Sequence, residues 1–217
     1  LLDRLAARFI ASGWSIKSLH RDIMQSATYQ LASEATTAEQ AANVTSDPDN
    51  LYYWRFNRRR LDAESLRDSL LAASGKLELG RPGPHPFPPV SEWRWTQHSP
   101  FKAVYDSQHR SVYLMTQRFA RHPSLALFDG PDPNTTTGLR TSSIVAPQAL
   151  YLLYNPFVSE QACALADRLI AISPHATARI RIACRTCWSR QPTPDEIEQA
   201  LAYLRRFDQE FDESDLS

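Results

Sequence analysis

The sequence predicts a mainly α-helical fold with one small antiparallel β-sheet in the middle of the chain. Three observations point there. Apolar residues recur at helical spacing through the first and last thirds. Between them, "GRPGPHPFPP" at 80–89 forbids a helix, because each proline removes a donor and fixes φ. Just beyond it, Trp93 and Trp95 alternate with Glu92 and Arg94, the period of a strand.

The elements follow in order. Leu2, Leu5, Ala6, Phe9 and Ile10 make a helical stripe that Gly13 stops. Ser15 is an N-cap, and Ile16, Leu19, Ile23 and Ala27 continue a second helix to near Leu31. The two helices should pair as a hairpin. Residues 32–50, rich in Ala, Thr, Ser, Asp and Asn, are an irregular connector. Asp62 caps the next helix, with Glu64 in its first turn, where the helix dipole favours an anion. Ala63, Leu66, Leu70 and Ala73 form its apolar face, and Gly75 closes it. Residues 80–92 are a second, semi-rigid connector. A second strand is expected over Ser111 to Arg118, and "FDGPDPN" at 128–134 is a stiff acidic turn. Pro147 and Pro156 suit first helical positions, and 176–188 makes a further helix. Thr193 and Glu196 form a capping box ahead of Ile197, Leu201, Leu204 and Phe207, and the tail at 211–217 frays. Residues 1–217 read as a single domain.

Composition excludes several functions. Lys plus Arg equals Asp plus Glu at 24 each, so the surplus of cations behind nonspecific nucleic-acid binding is absent. No apolar run approaches the roughly 20 residues that span a bilayer. No glycine-rich phosphate loop is present, and three cysteines make no disulfide scaffold. The chain starts at Leu1, inside a helical pattern, and is read as part of a longer protein.

The densest charge lies at Arg58, Arg59 and Arg60, with Asp62, Glu64, Arg67 and Asp68 following. Such a triad can grip an anion through bidentate forks. It can equally pair inside the fold, because Glu64 and Asp68 share a helical face and Asp129 and Asp132 need counterions. Internal pairing with that acidic turn is the preferred reading. Asp129, Asp132 and Asn134 offer oxygen donors, but not at EF-hand spacing, so turn structure is preferred to calcium binding and no metal is assigned. Cys184 and Cys187 form a C-x-x-C on one helical face, read as core packing. Trp188 stands where a haem-attachment motif has histidine, so this segment holds no c-type haem. The six histidines show no metal-ligand helical spacing, although His98, His109 and His122 could meet near the sheet. Trp93 and Trp95 are candidates for a sugar platform or, more simply, for core aromatics.

Four ordered segments resemble a known family: "SGWSIKSLHRDIMQSATYQ", "DPDNLYYWRFNRRRLDAESLRDSLLAASG", "HRSVYLMTQRFARHPSLALFDGPDPN" and "APQALYLLYNPFVSEQA". They are similar to the planctomycete PSD family, a C-terminal domain of unknown function. The likeness runs from Leu1 to about Ile170. One departure is Tyr154 ahead of Asn155 and Pro156, where relatives tend to carry Asp or Asn between an asparagine and the proline. The resemblance implies an exported or periplasmic bacterial protein, with an upstream domain and often a cytochrome c-like domain. Any c-type haem would then belong to that upstream part.

Two functions are carried forward. The first is a noncatalytic structural or interaction module whose partner is the upstream domain. The second is part of an enzyme site, acting on polysaccharide or in a periplasmic redox step, shared with that domain. A shared site predicts Arg118, Asp129, Asn134 and Arg140 converging without partners; a module predicts them satisfied beside an open apolar patch.

Overall fold

The computed structural model describes residues 1–34, 37–85, 87–94, 96, 98 and 101–214, leaving aside the side chains of Glu39 and of 211–214. The chain divides into two compact units, Leu1–Arg60 and Leu61–Ser217.

In the first unit, α1 (Leu2–Ala11) and α2 (Ile16–Met24) pack as the expected hairpin. Gly13 and Trp14 turn the corner at φ 69° and 61°, and the Phe9 ring meets Trp14 edge-on at 5.3 Å. The Ser15 hydroxyl receives the Ser18 amide at 3.2 Å, the N-cap read from sequence. The second helix ends at Met24 rather than near Leu31, because the Gln25 and Ser26 amides close the turn on the carbonyls of Arg21 and Ile23. The connector at 32–50 is more ordered than expected. It contains α3 (Ala38–Ser46), started by a capping box between Thr37 and Gln40.

A polar knot follows α3. The Asp47 carboxylate, buried, receives the Leu51 and Tyr52 amides at 2.8 and 2.9 Å, and its carbonyl receives the Trp54 indole at 3.0 Å. Asn50 is buried at φ 56°, a region asparagine tolerates better than most residues. Its amide side chain donates to the Arg55 carbonyl and to Asn57 and accepts the Arg55 amide. These contacts give "DPDNLYYWRFN" a physical reason: two short polar side chains replace secondary structure in satisfying the backbone.

In the second unit, α4 (Ala63–Ser74) lies against α7 (Pro156–Ile172), with α5 (Pro123–Leu127) and a 3-10 turn at Ser111–Tyr113 on its other contacts. Helix α6 (Ala146–Tyr154) and α8 (Ala176–Trp188) flank α7, and α8 pairs with α9 (Pro194–Ser214). Asp62 caps α4 through the Ser65 amide at 2.8 Å, and Gly75 ends it at φ 82°. The Thr193–Glu196 capping box opens α9, and helix continues to Ser214, into the tail expected to fray.

Two expectations are overturned. Among the described residues there is no strand or sheet, so the small antiparallel sheet does not exist there. An isolated bridge, parallel rather than antiparallel, joins Glu78 to His109. The reason is local. The Ser111 amide and hydroxyl go to Asp68, and the Ser107 and His109 carbonyls go to Arg67, so side chains take the groups that a ladder needs. Trp93 and Arg94 are also outside any strand, and Trp95 lies outside the described residues. The buried face of α4 is the second correction. Ala63, Arg67, Leu71 and Ser74 are buried, while Leu66, Leu70 and Ala73 are only half-buried.

The core of this unit is small and partly polar. Leu71 is 1% exposed, the one large side chain fully buried among the described residues. Ser74 on α4 donates to Gln161 on α7 at 2.7 Å, and Gln148 on α6 donates to the Leu127 carbonyl at 2.9 Å. Leu71→Ala should therefore lower unfolding free energy by about 3 kcal/mol in a urea titration, since the site sits between packed helices and collapses poorly.

Candidate functional site

The site grows from the buried face of α4. Arg67 sits there at 8% exposure. Its guanidinium donates to the His109 carbonyl at 3.1 Å, to the Ser111 hydroxyl at 3.2 Å and to the Ser107 carbonyl. Its face lies 5.4 Å from the Phe157 ring centroid on α7. Burial pulls its pKa below the ordinary value, while Asp68, 3.9 Å away, pulls the other way. A planar group with several donors suits this junction in a way that a lysine does not.

Beside Arg67 opens a cleft of ≈ 380 Å³. Asp62, the N-cap of α4, and Glu64 and Asp68 from α4 line it, together with Arg121, His122 and Arg140. Asp68 accepts the Ser111 amide at 2.7 Å and its hydroxyl at 2.6 Å, both on Oδ1. Arg140 makes a bidentate pair with Glu64 at 2.6 and 3.0 Å and lies 3.7 Å from Asp62. The Glu64 hydrogen bonds raise the Arg140 pKa, and the Ser65 hydrogen bonds, with help from Arg140, lower that of Asp62. Arg121 donates to the Gly130 carbonyl at 2.7 Å and faces Asp132 at 4.0 Å. His122 Nδ1 meets the Ser124 hydroxyl at 2.9 Å. Burial, then the Arg67 charge, pushes its pKa below the ordinary 6.5, so the ring is neutral at pH 7.

The sequence-predicted residues fall into three groups. Asp62, Glu64, Asp68 and Arg140 come together on the cleft wall, and Arg67 braces it. In the acidic turn, Asp129 takes the Ser143 amide and hydroxyl at 2.8 Å each, and Asp132 takes the Asn134 amide at 2.9 Å. Asn134 also donates to the Arg118 carbonyl at 3.1 Å, and the Arg118 side chain is exposed. The arginine triad belongs to the first unit, where Arg58 pairs with Glu34 and Arg59 is exposed. Trp93 contacts Phe87 and Phe101 edge-on at 5.6 and 5.8 Å and donates to the Pro88 carbonyl.

Arg121 was missed as a site residue, and His122 was named only as one of three histidines that could meet near the expected sheet. The signal was available: His122 precedes Pro123, the first residue of a short helix, so its position is held by backbone constraint. Elsewhere, His109 Nε2 meets Glu78 at 3.1 Å. Cys184 is buried, and exposed Cys187 has its pKa raised by burial and by Cys184. Among the described residues no group of three or more His, Cys, Asp or Glu side chains is placed to hold one metal ion, and no helix is long and apolar enough to cross a membrane.

Two outcomes test this geometry. Arg67→Ala should cost about 3 kcal/mol in urea unfolding, because it strips partners from buried carbonyls, and Arg67→Lys should recover less than half. The second concerns pH. His122 binds its proton more weakly folded than unfolded, so its contribution is complete above 6.5 and is lost as pH falls from there through the lowered folded value. Thermal scans from pH 7 to pH 5 should show a steeper loss of stability in the wild type than in His122→Asn.

No curated protein and no solved structure matches this chain. Residues 1–204 match the PSD1 family, described as "Protein of unknown function (DUF1553)", and the chain belongs to that family.

Proposed function

We propose that this chain is a noncatalytic interaction module, permanently covered by an upstream domain of the same protein. One observation carries the reading: in each unit a large share of the described side-chain surface lies open to solvent.

Much of that surface is apolar. On α6, Leu150, Leu153 and Tyr154 are 54%, 68% and 75% exposed. In the first unit, Leu2, Ile10 and Ile16 are 79%, 55% and 62% exposed. Large hydrophobic faces belong to obligate partners rather than passing ones, and an upstream domain on the same polypeptide is always present. The polar groups support the same side of the comparison. Arg140, Asp129 and Asn134 all have partners within the second unit. In this reading the family setting is an exported planctomycete protein whose upstream part carries cytochrome c-like domains and any haem.

A second reading keeps the cleft beside α4 as part of an enzyme site completed by the upstream domain, with polysaccharide or a redox carrier as substrate. The ≈ 380 Å³ cleft with neutral His122 and three carboxylates favours it.

Hydrogen exchange separates the possibilities. In the complete protein, amides of α1 and α6 should exchange slowly, and they should exchange at least about a hundredfold faster in the excised chain. Equal protection in both, with cooperative unfolding of the excised chain and no binding of a hydrophobic dye, would sink the docking reading.

A further inference from the structure

We propose that the cleft beside α4 binds a small neutral polyol, about the size of a single sugar ring, through Asp68 and His122. The inference stands apart from the docking reading and rests on two side chains, each fixed at one end and open at the other. Asp68 spends Oδ1 on Ser111, and its Oδ2 has no partner among the described residues. His122 spends Nδ1 on the Ser124 hydroxyl, and its Nε2 has none. Among the described residues, the sealed and unpartnered side-chain atoms are Arg55 Nε and His109 Nδ1, so Asp68 Oδ2 and His122 Nε2 each keep some contact with solvent; His122 also borders a second cavity beside Arg67 and Phe157. Both residues line the ≈ 380 Å³ cleft, which lies within the usual size of small-molecule sites.

The serines make this a prepared site. Ser111 is 4% and Ser124 8% exposed, so each anchor is itself held in packed surroundings. Orientation is settled before any ligand arrives, which reduces the entropy lost on binding.

The chemistry of the wall selects the ligand. An anion meets guanidinium charges that are already balanced, Arg140 by Glu64 and Asp62 and Arg121 by Asp132 at 4.0 Å, and three carboxylates on the lining repel it. An ammonium suits Asp68 but suits only one tautomer of His122, the one with Nε2 unprotonated. A hydroxyl donates to Asp68 and either donates to or accepts from His122, so vicinal hydroxyls satisfy both groups in either tautomer. Val112, Leu114, Met115 and Leu125 supply an apolar surface for the CH face of a ring.

Calorimetric titration of the complete protein with myo-inositol and methyl α-glucoside tests the proposal, with ethanolamine and inorganic phosphate as amine and anion probes. Saturable heat with at least one polyol is expected, and none with phosphate. Asp68→Asn keeps the oxygen that receives Ser111, and His122→Asn keeps a nitrogen near Ser124. Each should weaken polyol binding by about tenfold or more. Met115→Trp, which fills the cleft without touching either anchor, should abolish it and covers the case in which an anchor variant does not fold. No saturable heat with either polyol, saturation by ethanolamine or phosphate alone, or undiminished polyol affinity in the folded variants would overturn the assignment.

Discussion

The second unit is organised around one buried cation. The Arg67 guanidinium reaches from α4 to the carbonyls of Ser107 and His109, to the Ser111 hydroxyl and to the face of Phe157 on α7. No other side chain in this unit joins a helix, a loop and a second helix through so many described contacts. A buried charge is costly unless its donors are all used, so the loop at 107–111 must keep its carbonyls turned inward. That requirement places Ser111, Ser111 places Asp68, and Asp68 forms one wall of the cleft. Burial lowers the His122 pKa, and the Arg67 charge adds to it. One ionic constraint thus decides backbone path and carboxylate orientation together.

The interior mixes polar with apolar groups, and large apolar side chains lie on the surface. Ser74, Gln148, Gln161, Ser111 and Ser124 are buried and hydrogen-bonded, while Leu139, Ile144, Leu153 and Tyr154 lie open. Polar interior contacts are directional, so they hold helices in one arrangement, but each yields only about 1 kcal/mol net. The apolar area that ordinarily supplies most of a domain's stability remains outside.

Three helix starts and the end of α4 were legible in the amino-acid sequence because capping is local. Ser15, Asp62, Gly75 and the Thr193–Glu196 box act within one turn, and each stands where its spacing put it. Glu196 is the clearest case: Arg190, then the Thr193 amide, hold its carboxyl down at about 2. Helix α3 was missed because "AEQAANVTS" is weakly apolar, and its capping box stands alone as a signal. The strand at Ser111–Arg118 was misread because alternation of apolar residues describes a surface, not a ladder. A ladder needs a neighbour with free amides and carbonyls, and here Arg67 and Asp68 had taken them.

The candidate site divides in the same way. Sequence spacing placed Asp62, Glu64 and Asp68 on one helix and named Arg140 as a distant charge, since periodicity and composition are properties of the chain itself. Their union, with Glu64 closed on Arg140 and Asp68 left half open, arises from contacts between residues more than forty positions apart. The buried side of α4 was a tertiary decision as well. Arg67 lies inward because the 107–111 loop presents oxygens to it, and no feature within the helix announces that loop. Local hydrogen bonds were therefore written in the sequence, whereas the burial of a charge depended on which distant acceptors the folded chain brought to meet it.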